Sequence, residues 1–97
     1  MRIIARRVLR EFWEQHPDAE QSLRAWHRDV QGAVWNSPAD IKRTYANASI
    51  VGQNRVIFNI RGNRYRLVAA INYAYQICYI RFVGTHQEYD RIDAEQV

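Results

Sequence analysis

The chain has 97 residues, 47% hydrophobic and 25% charged, which excludes a disordered or fibrous protein and leaves room for one domain, residues 1–97. Its formal charge is +4, Lys42 is its only lysine, and an arginine-rich excess of this kind points to an anionic partner, nucleic acid first. One cysteine, Cys78, excludes an internal disulfide or a cysteine zinc site, and neither a membrane-length apolar run nor an apolar stretch behind Met1 is present, so a cytoplasmic protein without a membrane partner is expected.

Arg2 to Ile4 is a candidate short strand. Ala5, Val8, Leu9, Phe12 and Trp13 then recur at i, i+3, i+4, i+7 and i+8, one face of a helix. His16-Pro17-Asp18 breaks the pattern, and Asp18 with Gln21 three residues on predicts the cap of a second helix. Leu23, Trp26, Val30, Ala33 and Val34 form its apolar stripe, so the two helices make an antiparallel hairpin. Ser37-Pro38 predicts the start of a short helix through Tyr45, and Ser49 to Val51 is a second candidate short strand.

The period then changes. Arg55 to Arg61, Arg64 to Ile71 and Ile77 to Val83 read as strands, with Gly62-Asn63 as a two-residue hairpin loop between the first two. Thr85 with Glu88 predicts a capping box on a short C-terminal helix. The expected fold is α+β: an N-terminal helical hairpin packed on an antiparallel sheet, with a short C-terminal helix.

That hairpin loop sets a register. Arg61 faces Arg64, Ile60 faces Tyr65, Asn59 faces Arg66 and Phe58 faces Leu67. Because side chains alternate, Val56, Phe58, Ile60, Tyr65, Leu67 and Ala69 share an apolar face toward the helices. Asn59, Arg61, Arg64 and Arg66 share the other. On the third strand Cys78, Ile80 and Phe82 suit the core, and Tyr79 and Arg81 the polar face. Four arginines on one face repel one another, and an anion between them, a phosphate backbone first, would relieve the repulsion. A solvated sheet face is the alternative reading.

In Thr85-His86-Gln87-Glu88-Tyr89-Asp90, His86, Tyr89 and Asp90 share one face of a helix. Histidine moves protons near neutral pH, Asp90 is placed to orient it, and Tyr89 can donate a proton or stack on a base. A capped terminal helix with an exposed histidine is the alternative. His16 and His27 read as surface residues, and the three histidines lack the spacing of a zinc pair, so no metal and no cofactor is expected. Cys78 lies mid-strand on the core face and reads as packing. RNA can be cut without metal: the neighbouring 2′-hydroxyl attacks the phosphate, cations stabilise the charge, and an acid protonates the leaving oxygen.

The stretch Phe58-Asn59-Ile60-Arg61-Gly62-Asn63-Arg64-Tyr65-Arg66-Leu67, then Cys78-Tyr79-Ile80-Arg81, then Thr85 to Asp90, resembles the HigB toxin family, a branch of the RelE-like toxins. The resemblance implies a RelE-like fold and ribosome-dependent endonucleolytic cleavage of messenger RNA. It implies a helix-turn-helix antitoxin of the HigA type as partner, with operator DNA bound only through the toxin–antitoxin complex. It places Arg66 and Arg81 on the scissile phosphate and His86, Tyr89 and Asp90 in the motif that transfers protons. Asn59, Gly62 and Asn63 match the family's hairpin; Asn59 and Asn63 with Arg61, Arg64 and Tyr79 form the expected RNA-binding set. Two other classes use the same basic face: a non-catalytic RNA- or DNA-binding module, and a protein-interaction domain with an acidic partner.

Overall fold

The computed structural model describes residues 1–97. Strand β1 (Arg2–Ile4) leads into α1 (Arg6–Gln15), a single 3-10 turn (Pro17–Ala19), α2 (Glu20–Gln31) and α3 (Pro38–Thr44). Strands β2 (Ser49–Val51), β3 (Arg55–Ile60), β4 (Tyr65–Asn72) and β5 (Ile77–Thr85) follow, and α4 (His86–Tyr89) grows directly from the end of β5. The sheet order is β1-β5-β4-β3-β2. Both candidate short strands are present, one at each edge.

The expected antiparallel sheet holds for β2 to β5, but β1 pairs with β5 in parallel, so the sheet is mixed. Parallel neighbours need a long connection, and here all three N-terminal helices and three strands lie between the two. The two long helices bury Leu9, Trp13, Leu23, Trp26 and Val30 against one sheet face. That face supplies Val56, Phe58, Ile60, Tyr65, Leu67 and Ala69, the set expected from alternation. Phe58 is the hub: its ring centroid lies 5.4 Å from that of Trp26, 5.3 Å from Tyr45 and 6.2 Å from Trp35. Trp35 follows α2 in an irregular segment, where no periodicity marks it as core. Val34, expected on the α2 stripe, lies beyond the helix end and is 72% exposed.

Strand β5 departs from simple alternation. Ile80 pairs with Ala69 and Phe82 pairs with Val68, which leaves Arg81 as the extra residue of a bulge. Phe82 was expected in the core. The bulge moves it to the outer face and brings Val83 onto the core instead.

The β3–β4 register matches expectation, with Asn59 across from Arg66 and Ile60 across from Tyr65. The loop does not. It runs over four residues, 61–64, and the left-handed pair is Arg61 (φ 51°) and Gly62 (φ 62°), not Gly62-Asn63. Asp18 explains the difference. It lies in the 3-10 turn and makes no helix cap. Its carboxylate accepts from Arg64 Nη1 at 2.7 Å and from the Tyr65 hydroxyl at 2.5 Å, while Arg61 Nη1 donates to its main-chain oxygen at 3.0 Å. The anion that relieves the arginine crowding is therefore the protein's own. Arg61 and Arg64 turn toward the helical layer and leave the outer face.

The Tyr65 hydrogen bond, with the charges of Arg61 and Arg64, holds the Asp18 carboxyl below its ordinary value of 3.8. A lowered carboxyl contributes stability above its unfolded value and loses it as pH falls through the lowered folded value. Asp18→Asn should therefore unfold at lower urea than wild type at pH 7, with the gap narrowing below pH 3.8 and closing as pH falls through the lowered folded value. Phe58→Ala should cost about 3–5 kcal/mol in the same urea titration, because it removes a buried aromatic hub.

Candidate functional site

The outer sheet face is what the helices leave uncovered. Asn59 and Arg66 lie across from each other on it, and Gly84 lies across from Arg66 on the other side. All three are at the end of the sheet from which α4 departs. A Cβ at Gly84 would sit 2.5 Å from Phe82 Cζ and 3.0 Å from Glu88 Oε1, so only glycine fits where β5 gives way to α4.

Helix α4 has only four residues, and a helix that short needs outside support. The expected capping box provides it at one end: Thr85 N–H donates to Glu88 Oε1 at 2.8 Å and Glu88 N–H donates to Thr85 Oγ1 at 3.1 Å. The bond from the Thr85 N–H holds the Glu88 carboxyl below its ordinary range. The His86 N–H donates to Arg64 O at 3.2 Å, which ties α4 to the β3–β4 loop.

These contacts aim the expected trio. His86 Nδ1 lies 3.2 Å from Asp90 Oδ2, with both side chains about half exposed. The Arg66 guanidinium carbon lies 5.9 Å from the centre of the Tyr89 ring, within cation–π range. Arg66 Nη1 also donates to Asn63 O at 2.9 Å, so its guanidinium is tied to the loop on one side and faces Tyr89 on the other. On β5 the bulge leaves Arg81 exposed, with its guanidinium carbon 5.9 Å from the Tyr79 ring. Arg66, Arg81, Tyr79, Asn59, Tyr89 and the His86–Asp90 pair thus share one side of the molecule. Asn63 is exposed at the loop beside them.

Three expectations change. Arg61 and Arg64 are committed to Asp18, as described above. His16, read as a surface residue, is half-buried, with its ring stacked on Phe12 at 4.4 Å and 5.4 Å from Tyr65. It also lines an open cleft with Glu88, on the helical side of α4. His27 is half-buried too, and burial with the charge of Arg6 pushes its pKa down. Cys78 is fully buried, and burial pushes its thiol up to about 12, which suits packing. No three His, Cys, Asp or Glu side chains gather as a metal site would require. No helix is long and apolar enough to cross a membrane.

Two guanidinium groups on one sheet face, a histidine beside a carboxylate and an arginine against a tyrosine ring suit an anionic substrate and proton transfer. Comparison with known proteins agrees with that chemistry. The mRNA interferase toxin HigB of Escherichia coli K12 is 29% identical over 92 residues, covering 93% of this chain and 88% of that protein. The mRNA interferase HigB of Shigella flexneri matches to the same extent. That of Escherichia coli O6:H1 is 21% identical over 94 residues, covering 95% of this chain and 91% of the relative. Residues 19–92 match the family HigB_toxin, described as the RelE-like toxic component of a toxin-antitoxin system. With three quarters of its length inside that match, and its helices and sheet arranged as the RelE-like fold requires, the chain belongs to the HigB toxin family.

Proposed function

We propose that this chain is an mRNA interferase: a ribosome-dependent endoribonuclease that cuts messages during translation in the cytoplasm and is neutralised by a HigA-type helix-turn-helix antitoxin. Family membership supports the toxin role, and the names of the relatives support the substrate. The observation that carries the chemical reading is the meeting of β4 and α4, where Arg66 faces Tyr89 one turn from the His86–Asp90 pair.

In this reading Arg66 and Arg81 bind the non-bridging oxygens of the scissile phosphate. Their charge becomes most useful as negative charge builds on phosphorus during attack. The 2′-oxygen of the upstream ribose bonds to phosphorus and the 5′-oxygen of the next nucleotide leaves. One proton departs from the 2′-hydroxyl and one arrives on the 5′-oxygen. His86, Tyr89 and Asp90 carry these transfers, with Asp90 orienting the imidazole. The cut leaves a 2′,3′-cyclic phosphate and a free 5′-hydroxyl.

Asn59, Asn63 and Tyr79 flank this centre and bind the message on either side. Tyr79 and Tyr89 offer ring faces on which unpaired bases stack. Arg61 and Arg64 are not in this set, because Asp18 holds them on the other side of the loop. Operator DNA is reached through the antitoxin complex.

Inducible expression of the chain alone, with 5′-end mapping of cellular RNA, tests the reading. Wild type should arrest growth and create new cuts in translated messages. Arg66→Ala should fold normally and lose about 10²-fold or more of the cleavage, the cost of removing one preorganised donor. His86→Ala should lose a comparable factor, within about 10²–10⁴ for a general acid or base. An Arg66→Ala variant that still arrests growth and cuts the same messages would show the site to be elsewhere.

A further inference from the structure

Three buried apolar residues stand apart from the helical core. Ile57 (4% exposed), Val68 (0%) and Ala70 (4%) lie on the outer face, away from every long helix. Phe82 and Tyr79 flank Val68 and Ala70 from the neighbouring strand, and the segment after α4 comes back to the edge of this face. Tyr89 is beside Arg66 at one end of that face. At the other end Arg55 Nε and Nη2 donate to the main-chain oxygen of Val97 at 3.1 and 2.9 Å. Nearby, the Glu95 side chain packs on Gly52, where an added Cβ would lie 3.6 Å from Glu95 Cγ. Residues 90–97 therefore run back over β3, with Ile92, Ala94 and Val97 half-buried between exposed Asp93, Glu95 and Gln96.

We infer that residues 91–97 are a strap across the cleavage face, and that Arg55, which clasps its far end, is a positioning residue for α4. The inference rests on the cleavage reading given above. Arg55 lies four residues from Asn59 along β3, about 13 Å from the Arg66 cross-strand position, and so does not share the phosphate held there. Its planar fork meets one main-chain oxygen through two nitrogens, and its third nitrogen donates to Asn54 Oδ1 at 2.8 Å, which fixes the guanidinium plane.

A four-residue helix carries its side chains only as accurately as its ends are held. The capping box holds the front of α4. The strap holds the back, by seating apolar side chains on Ile57, Val68 and Ala70 and by the Arg55 clasp. If the clasp opens, the strap lifts, and Tyr89 and Asp90 lose their fixed distance from Arg66. Catalysis is sensitive to displacements of about 1 Å, so the rate should fall even though no group that touches RNA has changed. The strap also covers the apolar half of the outer face, which confines the message to the polar half beside α4.

The test compares wild type, Arg55→Ala, Arg55→Lys and Ile92→Ser in single-turnover cleavage of a programmed message on ribosomes, with limited proteolysis of residues 90–97 alongside. Arg55→Ala should lower the rate at saturation by about 10- to 100-fold and leave the half-saturating concentration unchanged. It should also speed proteolysis of the strap. Arg55→Lys keeps a donor for the Val97 oxygen and should recover part of the rate. Ile92→Ser loosens the strap from its middle and should repeat the Arg55→Ala result, including in the event that Arg55→Ala does not fold. A raised half-saturating concentration with an unchanged rate would mean that Arg55 contacts RNA and would overturn the proposal. So would a freed strap with full activity. An active Arg66→Ala control in the same assay would instead overturn the cleavage reading itself.

Discussion

Three donors from one hairpin converge on Asp18, and the division of charge over the sheet follows from that meeting. A basic hairpin with arginines at 61, 64 and 66 would repel itself if all three faced the same way. The 3-10 turn between α1 and α2 places Asp18 where its carboxylate accepts from Arg64 and the Tyr65 hydroxyl and its main-chain oxygen accepts from Arg61. Arg61 then sits in the left-handed region, which costs an L-residue about 1–2 kcal/mol, and its bond to the Asp18 main chain offsets part of that cost. Arg66 is the one left on the outer face. The anchor thus selects, from a cluster that looks uniform in sequence, the single hairpin arginine that faces α4.

The second constraint is the bulge in β5. Without the extra residue at Arg81, Phe82 would fall on the core face and Val83 on the outer one. With it, Arg81 leaves the ladder, Phe82 covers Gly84, and the strand enters α4 turned by one residue. Bulges commonly re-aim a side chain beside a functional site. Here the bulge and the Asp18 anchor act on neighbouring strands, and together they leave one arginine from each strand on the face that α4 closes.

Much of this was legible in the sequence. Helical periodicity gave α1 and α2, alternation gave the core faces of β3 and β4, and Thr85 with Glu88 gave the capping box, because each rests on residues close together in the chain. The clustering of His86, Tyr89 and Asp90 on one short helix was legible for the same reason: they are one turn apart. What stayed hidden depends on long-range meetings. Asp18 looks like a helix cap until Tyr65, 47 residues later, reaches it. Trp35 has no periodic neighbours, and its burial comes from stacking on Phe58. A bulge leaves no mark in composition, so Phe82 was assigned by a period that the strand does not keep. The parallel pairing of β1 with β5 depends on how the whole chain returns, which no local pattern encodes.

The central claim is that the message lies on the outer face, between Arg66, Arg81 and α4. The direct measurement is zero-length photocrosslinking of wild-type protein to a programmed ribosome. Its message carries 4-thiouridine at the cut site and a 2′-O-methyl group that blocks attack, and mass spectrometry identifies the linked peptides. The account predicts crosslinks to residues 63–66 and 79–90. Crosslinks confined to the helical layer, residues 6–31, would contradict it.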